Sequence, residues 1–428
     1  MSSVAALAGL FNQHRQLLLL MSANLVSNGT TFAILLLMSS AVSVESFGVL
    51  SICISVVMQL SFLLDFGTGF SLVKLYNSRD DGDRIMSGAF WIRMATTLML
   101  ILLFYPASLV LQRFLLPGVD EALVWVALLA SIVMSWWGYV RSRLQAMQDF
   151  NAYSLYMFIL SAVRILGTGV IYAEESGNKV LNVLLILYVV APAMASLASR
   201  FQVQVHRSGL PPFKLRAALV PIRAILQYGR WVFASAILFT LSNNVPLWKL
   251  GADASFGHAA YFGIGVYFAN AIAPVREALK SFLFPKMLNF DGPDQVKSYI
   301  RSVMTKAYWS VPVAALVCVL ALGLLKIVNQ DRYDGAEWIV VVMIVTQIVT
   351  MFTALIGSTL HYFDNPRYDF YINIGRVVIS ILLSVMMIPL FGAVAAGCIA
   401  SFTTVAGEVL LVRKAWVVAD HNVRMCAA

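Results

Sequence analysis

The sequence predicts an all-α polytopic membrane protein, with about 12 transmembrane helices in two six-helix lobes around a central cavity. Composition is the first reason. Of 428 residues, 60% are hydrophobic and only 12% charged, and the mean hydropathy is +0.81, values outside the range of soluble domains. At roughly 20 residues per spanning helix, this apolar content supplies about a dozen helices and excludes a large extramembrane catalytic domain. The other two reasons are a sorting of positive charge by alternate loops and an alignment of the two halves of the chain.

Apolar runs bounded by charge, Gly or Pro fall near 16–40, 46–64, 87–109, 119–140, 152–172, 180–200, 225–248, 256–275, 303–325, 337–360, 370–389 and 391–412. The first begins after His14 and Arg15 and stays apolar to Met38 without a small-residue cleavage site, so it is expected to be a retained span rather than a signal peptide. Asp65 closes the second run, Asp120 and Glu121 open the fourth, and Glu337 opens the tenth.

Of the 30 Lys and Arg, Arg113, Lys179, Lys249, Lys326 and Arg332 fall in loops of one side, Arg93, Arg164 and Arg376 fall inside spans, and the remaining 22 fall on the other side. The rule that cytoplasmic loops are positive then places both termini in the cytoplasm. The net charge of +9 is thus a topology signal, and nucleic acid is not an expected partner.

The polar interruption near 201–224, with Pro211, Pro212 and Pro221, divides the runs six and six. It sets the expected organisation: an N-terminal lobe 1–205 (helices 1–6), a cytoplasmic linker 206–224 and a C-terminal lobe 225–428 (helices 7–12). A shift of 215 residues matches Ser27 with Ser242, Asn28 with Asn243, Leu35 with Leu250, Ser40 with Ser255, Phe47 with Phe262 and Gly48 with Gly263. Both copies enter the membrane from the same side, a parallel repeat of the kind that builds transporters with a site between lobes.

Polar residues recur inside the runs at helical spacing: Asn24, Ser27, Asn28 and Thr31; Ser51, Ser55 and Gln59; Ser161, Arg164 and Thr168; Asn243; Tyr267 and Asn270; Asn373, Arg376, Ser380 and Ser384; Ser401, Thr404 and Glu408. Such residues line a cavity or bond to another helix. The arginines stand apart, because a guanidinium stays charged and costs on the order of 3 kcal/mol at mid-bilayer. Arg164 lies too deep to snorkel and is either a ligand for an anion or a structural partner of another helix. Arg93 and Arg376 lie near cytoplasmic ends and also fit interfacial anchoring. Arg276 stands beside Glu277 and also fits pairing with a carboxylate. Deep cations favour an anionic substrate, since the planar Arg fork matches phosphate oxygens. Asp65 and Glu408 are candidates for ion coupling or for pairing with a nearby Arg.

Four cysteines cannot form a disulfide framework or a CxxC metal site, and the five histidines are dispersed with no HExxH. No metal or other cofactor is expected, and the protein is not expected to be an enzyme. A membrane glycosyltransferase or polymerase would carry a long outer loop, whereas those here are at most about 12 residues, within the range of simple connections. A cation-coupled drug antiporter would place acids deep in its cavity.

Asn28-Gly29, Glu45-Ser46-Phe47-Gly48 and Leu64-Asp65-Phe66-Gly67 leading into Leu72-Val73-Lys74 resemble the opening of the polysaccharide-repeat (O-antigen, Wzx-type) flippases. These belong to the multidrug/oligosaccharidyl-lipid/polysaccharide exporter superfamily. Tyr228-Gly229-Arg230, Ala260-Tyr261-Phe262-Gly263 and Phe284-Pro285-Lys286 extend the resemblance over both halves, while Ser46 stands where many relatives carry an acid. The resemblance implies movement of an undecaprenyl-diphosphate-linked oligosaccharide between leaflets by alternating access, with membrane lipid, a polysaccharide polymerase and other assembly proteins as partners. On that reading the diphosphate meets Arg164, assisted by Arg93, Arg276 and Arg376, and Asn24, Asn28, Asn243 and Asn270 line the path. Pro246, Pro274 and Pro312 are candidate hinges or static kinks.

Overall fold

The computed structural model describes residues 2–78, 82–173, 178–206, 215–253, 255–288, 292–357, 359–362 and 367–427, and every regular element among them is helical. In chain order these are α1 (Ser2–Ala41), α2 (Val44–Asp65), α3 (Thr68–Ser78), α4 (Gly82–Leu102), α5 (Phe104–Phe114), α6 (Glu121–Ala146), α7 (Phe150–Ala173) and α8 (Lys179–Leu185). A π-turn at Ile186–Val190 leads into α9 (Ala191–His206). Then come α10 (Leu215–Ala252), α11 (Phe256–Leu288), α12 (Pro293–Lys306), α13 (Ser310–Asn329), α14 (Glu337–Gly357), α15 (Thr359–Tyr362) and α16 (Arg367–Ala427).

Among the described residues nine helices are long and apolar enough to cross a membrane, and a bent pair within α10 makes ten. One of the nine, Arg367–Asp420, is two helices in one: Gly392 (φ 56°, ψ −131°) interrupts α16, and Arg376 meets Glu408 across the interruption, so the chain doubles back there. With α11 included, each of the twelve apolar runs lies on a helix.

Several helices differ from the runs in their ends. The run 87–109 is split between α4 and α5 at Leu103, because the Pro106 ring excludes the carbonyl four residues earlier, that of Leu102. The ninth run is preceded by α12, an amphipathic helix whose Val296 and Ile300 pack with Ile356, Leu411 and Ala415 while Asp294, Gln295 and Arg301 stay exposed. Of the linker 206–224, residues 207–214 lie outside the described ones, and 215–220 and onward already belong to α10. As for the prolines, α10 and α11 continue through Pro246 and Pro274, and Pro312 sits in the first turn of α13, where its missing N–H has no intrahelical acceptor to lose.

Packing groups the chain into two compact units: Met1–Ile34, Cys53–Arg113 and Gly118–Phe233 form the first; Leu35–Ile52, Phe114–Pro117 and Ala234–Ala428 form the second. The tip of the α1–α2 hairpin therefore packs with the C-terminal helices. In bilayers helix association rests on close approach and interhelical hydrogen bonds rather than on hydrophobic burial, and the second unit shows both. A Cβ on Gly48 would overlap the Phe256 carbonyl oxygen, and one on Gly263 would overlap Ser51 Oγ. These two glycines are matched by the 215-residue shift, and the phenylalanines before them, Phe47 and Phe262, are 0% and 1% exposed. Ser39 Oγ donates to Asn329 Oδ1 (2.8 Å), Arg332 Nη1 to the Ser40 carbonyl (2.7 Å) and the Tyr333 hydroxyl to the Ser39 carbonyl (3.3 Å). Burial pushes the Tyr333 phenol above the usual tyrosine range, so it remains a donor at neutral pH.

Gly48→Ala forces two backbones apart and is expected to cost about 1–3 kcal/mol, as overpacking does. Gly29→Ala, whose Cβ would meet nothing within 4 Å, serves as the control. Thermal unfolding in detergent checks the pair: a markedly lower midpoint for Gly48→Ala alone is the expected result.

Candidate functional site

Arg164 organises the polar part of the first unit. Ser161, Arg164 and Thr168 lie on one face of α7 and are 3%, 5% and 5% exposed. That face is anchored by Tyr156, Met157 and Leu160, which pack with Ala23 of α1, Leu144 of α6 and Ala191 and Ala195 of α9. Arg164 Nε and Nη2 donate to the Leu187 carbonyl (3.3 and 3.1 Å), and Nη1 donates to Thr31 Oγ1 (2.8 Å). Leu187 lies in the π-turn, where bonding shifts from i+4 to i+5, as in Ala191 N–H to the Ile186 carbonyl. Among the described residues no carboxylate pairs with Arg164. One hydrogen on Nη1 and one on Nη2 stay uncommitted. A buried guanidinium held by neutral oxygens keeps donors of the kind that match the oxygens of an anion.

The α1 stripe faces the same helix. Asn24 Oδ1 accepts from the Tyr153 hydroxyl of α7 (3.1 Å), and Asn24 Nδ2 donates to the Leu20 carbonyl (2.9 Å). Asn28, which is exposed, donates to the Asn24 carbonyl (2.8 Å), and Thr31 Oγ1 to the Ser27 carbonyl (2.9 Å). The structure thus brings Thr31 to Arg164 and Asn24 to Tyr153, about three turns away along α7.

The second unit repeats the arginine contact. Arg376 Nη2 donates to the Thr404 carbonyl (3.3 Å) and pairs with Glu408 Oε1 (3.1 Å), its guanidinium lying 5.2 Å from the Phe239 ring centre. The bed is made by Gly407, where a Cβ would overlap the guanidinium itself. Thr404 Oγ1 also donates to Asn243 Oδ1 (3.1 Å), so Asn243 of α10 belongs to this group. Alongside it, Asn373 Nδ2 donates to Ser235 Oγ (2.8 Å), which in turn donates to Asp369. Asn270 is exposed on α11, and Arg276 is half-buried. The alternative for Arg276, pairing with a neighbouring carboxylate, bears on Glu277, which lies outside the described side chains.

Arg93 differs from both. It is 1% exposed and takes Asp65 as ion-pair partner, Thr68 Oγ1 as acceptor for Nε (3.2 Å) and Nη2 (2.9 Å), and the Ser135 carbonyl as acceptor for Nη1. This side chain ties α4 to α2, α3 and α6. Asp65 and Glu408, candidates for coupling or pairing, are both paired. Sequence reasoning missed the Leu187 carbonyl, because a backbone acceptor in a π-turn has no residue-type signature. It also missed Gly407, whose signal was a glycine beside an intramembrane acid.

The profile of the family described as "Polysaccharide biosynthesis protein" matches residues 14–290. The chain belongs to this family. Its fold is shared with an inward-facing multidrug resistance MATE family transporter of the MOP superfamily, at TM-score 0.69 and 13% identity over 95% of this chain and 99% of that one. It is shared equally with the lipid II flippase MurJ in an inward closed conformation, at TM-score 0.69 and 13% identity over 93% of this chain and 87% of that one. A MOP superfamily transporter from Pyrococcus furiosus, whose description stresses a binding pocket of reversed polarity, follows at TM-score 0.59 and 13% identity, with 96% of each chain covered. A comparison with curated proteins found no match. This member of the polysaccharide biosynthesis family is accordingly a multi-pass membrane protein with a MOP transporter fold.

The stretch Leu64-Asp65-Phe66-Gly67 has a structural basis here. Phe66 (φ 49°) and Gly67 (φ 74°) turn the chain from α2 into α3, a conformation Gly adopts freely and Phe at a cost. Asp65 accepts from Thr68 Oγ1 (2.9 Å) and the Gly69 N–H (3.1 Å) at the start of α3 while holding Arg93.

Proposed function

We propose that this polysaccharide biosynthesis protein is a flippase: it moves an undecaprenyl-diphosphate-linked oligosaccharide repeat unit from the inner to the outer leaflet of the bacterial inner membrane, for surface polysaccharides of the O-antigen and lipopolysaccharide type. Arg164 is the observation that carries this reading. A cation this deep, bonded to neutral oxygens and lacking an acid among the described residues, matches a diphosphate better than a cationic drug. Asn24, Asn28, Asn243 and Asn270 offer hydrogen bonds to sugar hydroxyls, while the polyprenyl tail stays in lipid. Arg276 and Arg376 assist with the anion; Arg93, ion-paired with Asp65, is assigned to structure. In the cycle the lobes 1–205 and 225–428 alternate access, with both termini in the cytoplasm, and the product passes to a polysaccharide polymerase and other assembly proteins. Coupling to an ion remains assigned to Asp65 or Glu408 only in so far as their pairs with Arg93 and Arg376 open during that cycle.

Deleting the gene in its host tests the reading. The expected result is loss of surface glycan with lipid-linked oligosaccharide retained on the inner leaflet, restored by a plasmid copy. Unchanged glycan with new sensitivity to cationic drugs would instead identify a cation-coupled drug antiporter.

A further inference from the structure

The fifth and sixth apolar runs make a contact that the eleventh and twelfth make again. Arg164 donates to the carbonyl of Leu187, and Arg376 donates to the carbonyl of Thr404. The separations, 212 residues from 164 to 376 and 217 from 187 to 404, bracket the 215-residue shift at which the halves align. A buried guanidinium bonded to the backbone of the following span is therefore a repeated element of the fold.

The copies differ in one respect. Glu408 supplies a carboxylate to Arg376 at 3.1 Å. Moved back by 217 or 215 residues, its position falls on Ala191 or Ala193, so the first copy has no acid there. The pair in the second copy is incomplete. Arg376 Nε and Glu408 Oε2 are buried and make no hydrogen bond among the described residues, and the two side chains are 3% and 10% exposed. A carboxylate and a phosphate present the same kind of oxygens to a guanidinium. Glu408 thus gives Arg376 the anionic oxygen that no carboxylate among the described residues gives Arg164.

We infer that Arg376 forms a second, latent phosphate-binding site, which Glu408 blocks as an internal anion until a phosphate group of the substrate replaces it. The inference rests on the flippase reading above. Its consequence is that an anion can bind at Arg376 only after the carboxylate is released, whereas Arg164 has no carboxylate to release among the described residues. Gly407 makes the block possible, since any side chain there would overlap the guanidinium and lift Arg376 from its bed.

The test measures equilibrium binding of radiolabelled farnesyl diphosphate to the full chain in lipid nanodiscs, with inorganic phosphate as competitor. Glu408→Gln, isosteric and uncharged, should bind about tenfold more tightly than wild type, because its Arg376 has lost its competing charge. Glu408→Asp, which keeps the charge but shortens its reach, should gain about threefold, and it decides the matter if Glu408→Gln does not fold. The double variant Arg376→Gln/Glu408→Gln should show no gain. Equal or weaker binding by the folded Glu408 variants would overturn the latent site. Arg164→Gln separates the two readings. If it abolishes binding while the Glu408 variants match wild type, only the latent site fails; if it leaves binding unchanged, or wild type binds no diphosphate, the flippase assignment fails and the latent site with it.

Discussion

Arg164→Ala should reduce transport on the order of 100-fold, leaving surface glycan unrestored in a deletion strain and lipid-linked oligosaccharide in the inner leaflet. Truncating one partner of a buried, hydrogen-bonded charge pair costs about 2–5 kcal/mol, and about 2.8 kcal/mol corresponds to a factor of 100. Arg164→Lys should be nearly as defective. An ammonium on a flexible stem cannot hold the Leu187 carbonyl and Thr31 Oγ1 together and still present a planar edge to an anion. Because Arg164 also fastens α7 to α1, Thr31→Val is the necessary control. It removes that fastening and keeps the cation, so near-normal transport is expected of it. Transport as poor in Thr31→Val as in Arg164→Ala would make Arg164 a structural clamp. Quantifying glycan in strains matched for the amount of inserted protein decides among these outcomes.

Asp65→Ala should destabilise the protein by about 3–5 kcal/mol, the cost of leaving a buried charge without its partner. Arg93 is 1% exposed, and the Asp65 side chain is 19% exposed, so little water reaches the pair. The substitution also removes the side-chain acceptor for the Gly69 N–H at the start of α3. The double variant Arg93→Met/Asp65→Ala should recover most of the loss, since replacing a buried ion pair by apolar groups is often nearly neutral. Thermal unfolding of purified protein measures both. An Asp65 that instead served as an ion carrier, its pair opening in each turnover, would give a different pattern: Asp65→Asn would fold normally and lose its response to an imposed ion gradient.

What the sequence disclosed and what it hid follow from the kinds of interaction involved. Apolar runs bounded by charge are a property of composition, and all twelve lie on helices. Pairs set by the repeat were legible as well: Phe47-Gly48 and Phe262-Gly263 matched in sequence because each glycine accepts a close neighbour, Phe256 in one case and Ser51 in the other. Arg164 stood out because a guanidinium in mid-span demands an explanation. The division between Arg93 and Arg164 was not legible, although both are arginines inside apolar runs. It depends on which oxygens lie across the helix interface: Asp65 and the Ser135 carbonyl for one, Thr31 and the Leu187 carbonyl for the other. Backbone carbonyls carry no sequence signature, and the π-turn that presents Leu187 arises within an unremarkable run, Ile186–Val190. The splitting of the third run is different again, since Pro106 was visible and its effect on the Leu102 carbonyl follows from the ring alone.

The most direct measurement reconstitutes the purified protein in lipid vesicles with an undecaprenyl-diphosphate-linked oligosaccharide. The fraction of glycan accessible at the outer face is then followed over time by an added lectin or glycosidase. Wild-type protein should equilibrate the lipid between leaflets, and Arg164→Ala at equal density should not exceed the protein-free rate by more than about 1% of the wild-type gain, the hundredfold loss expected above. Equal rates for Arg164→Ala and wild type would contradict the role assigned to Arg164, and no movement by wild type under any imposed ion gradient would contradict the flippase itself.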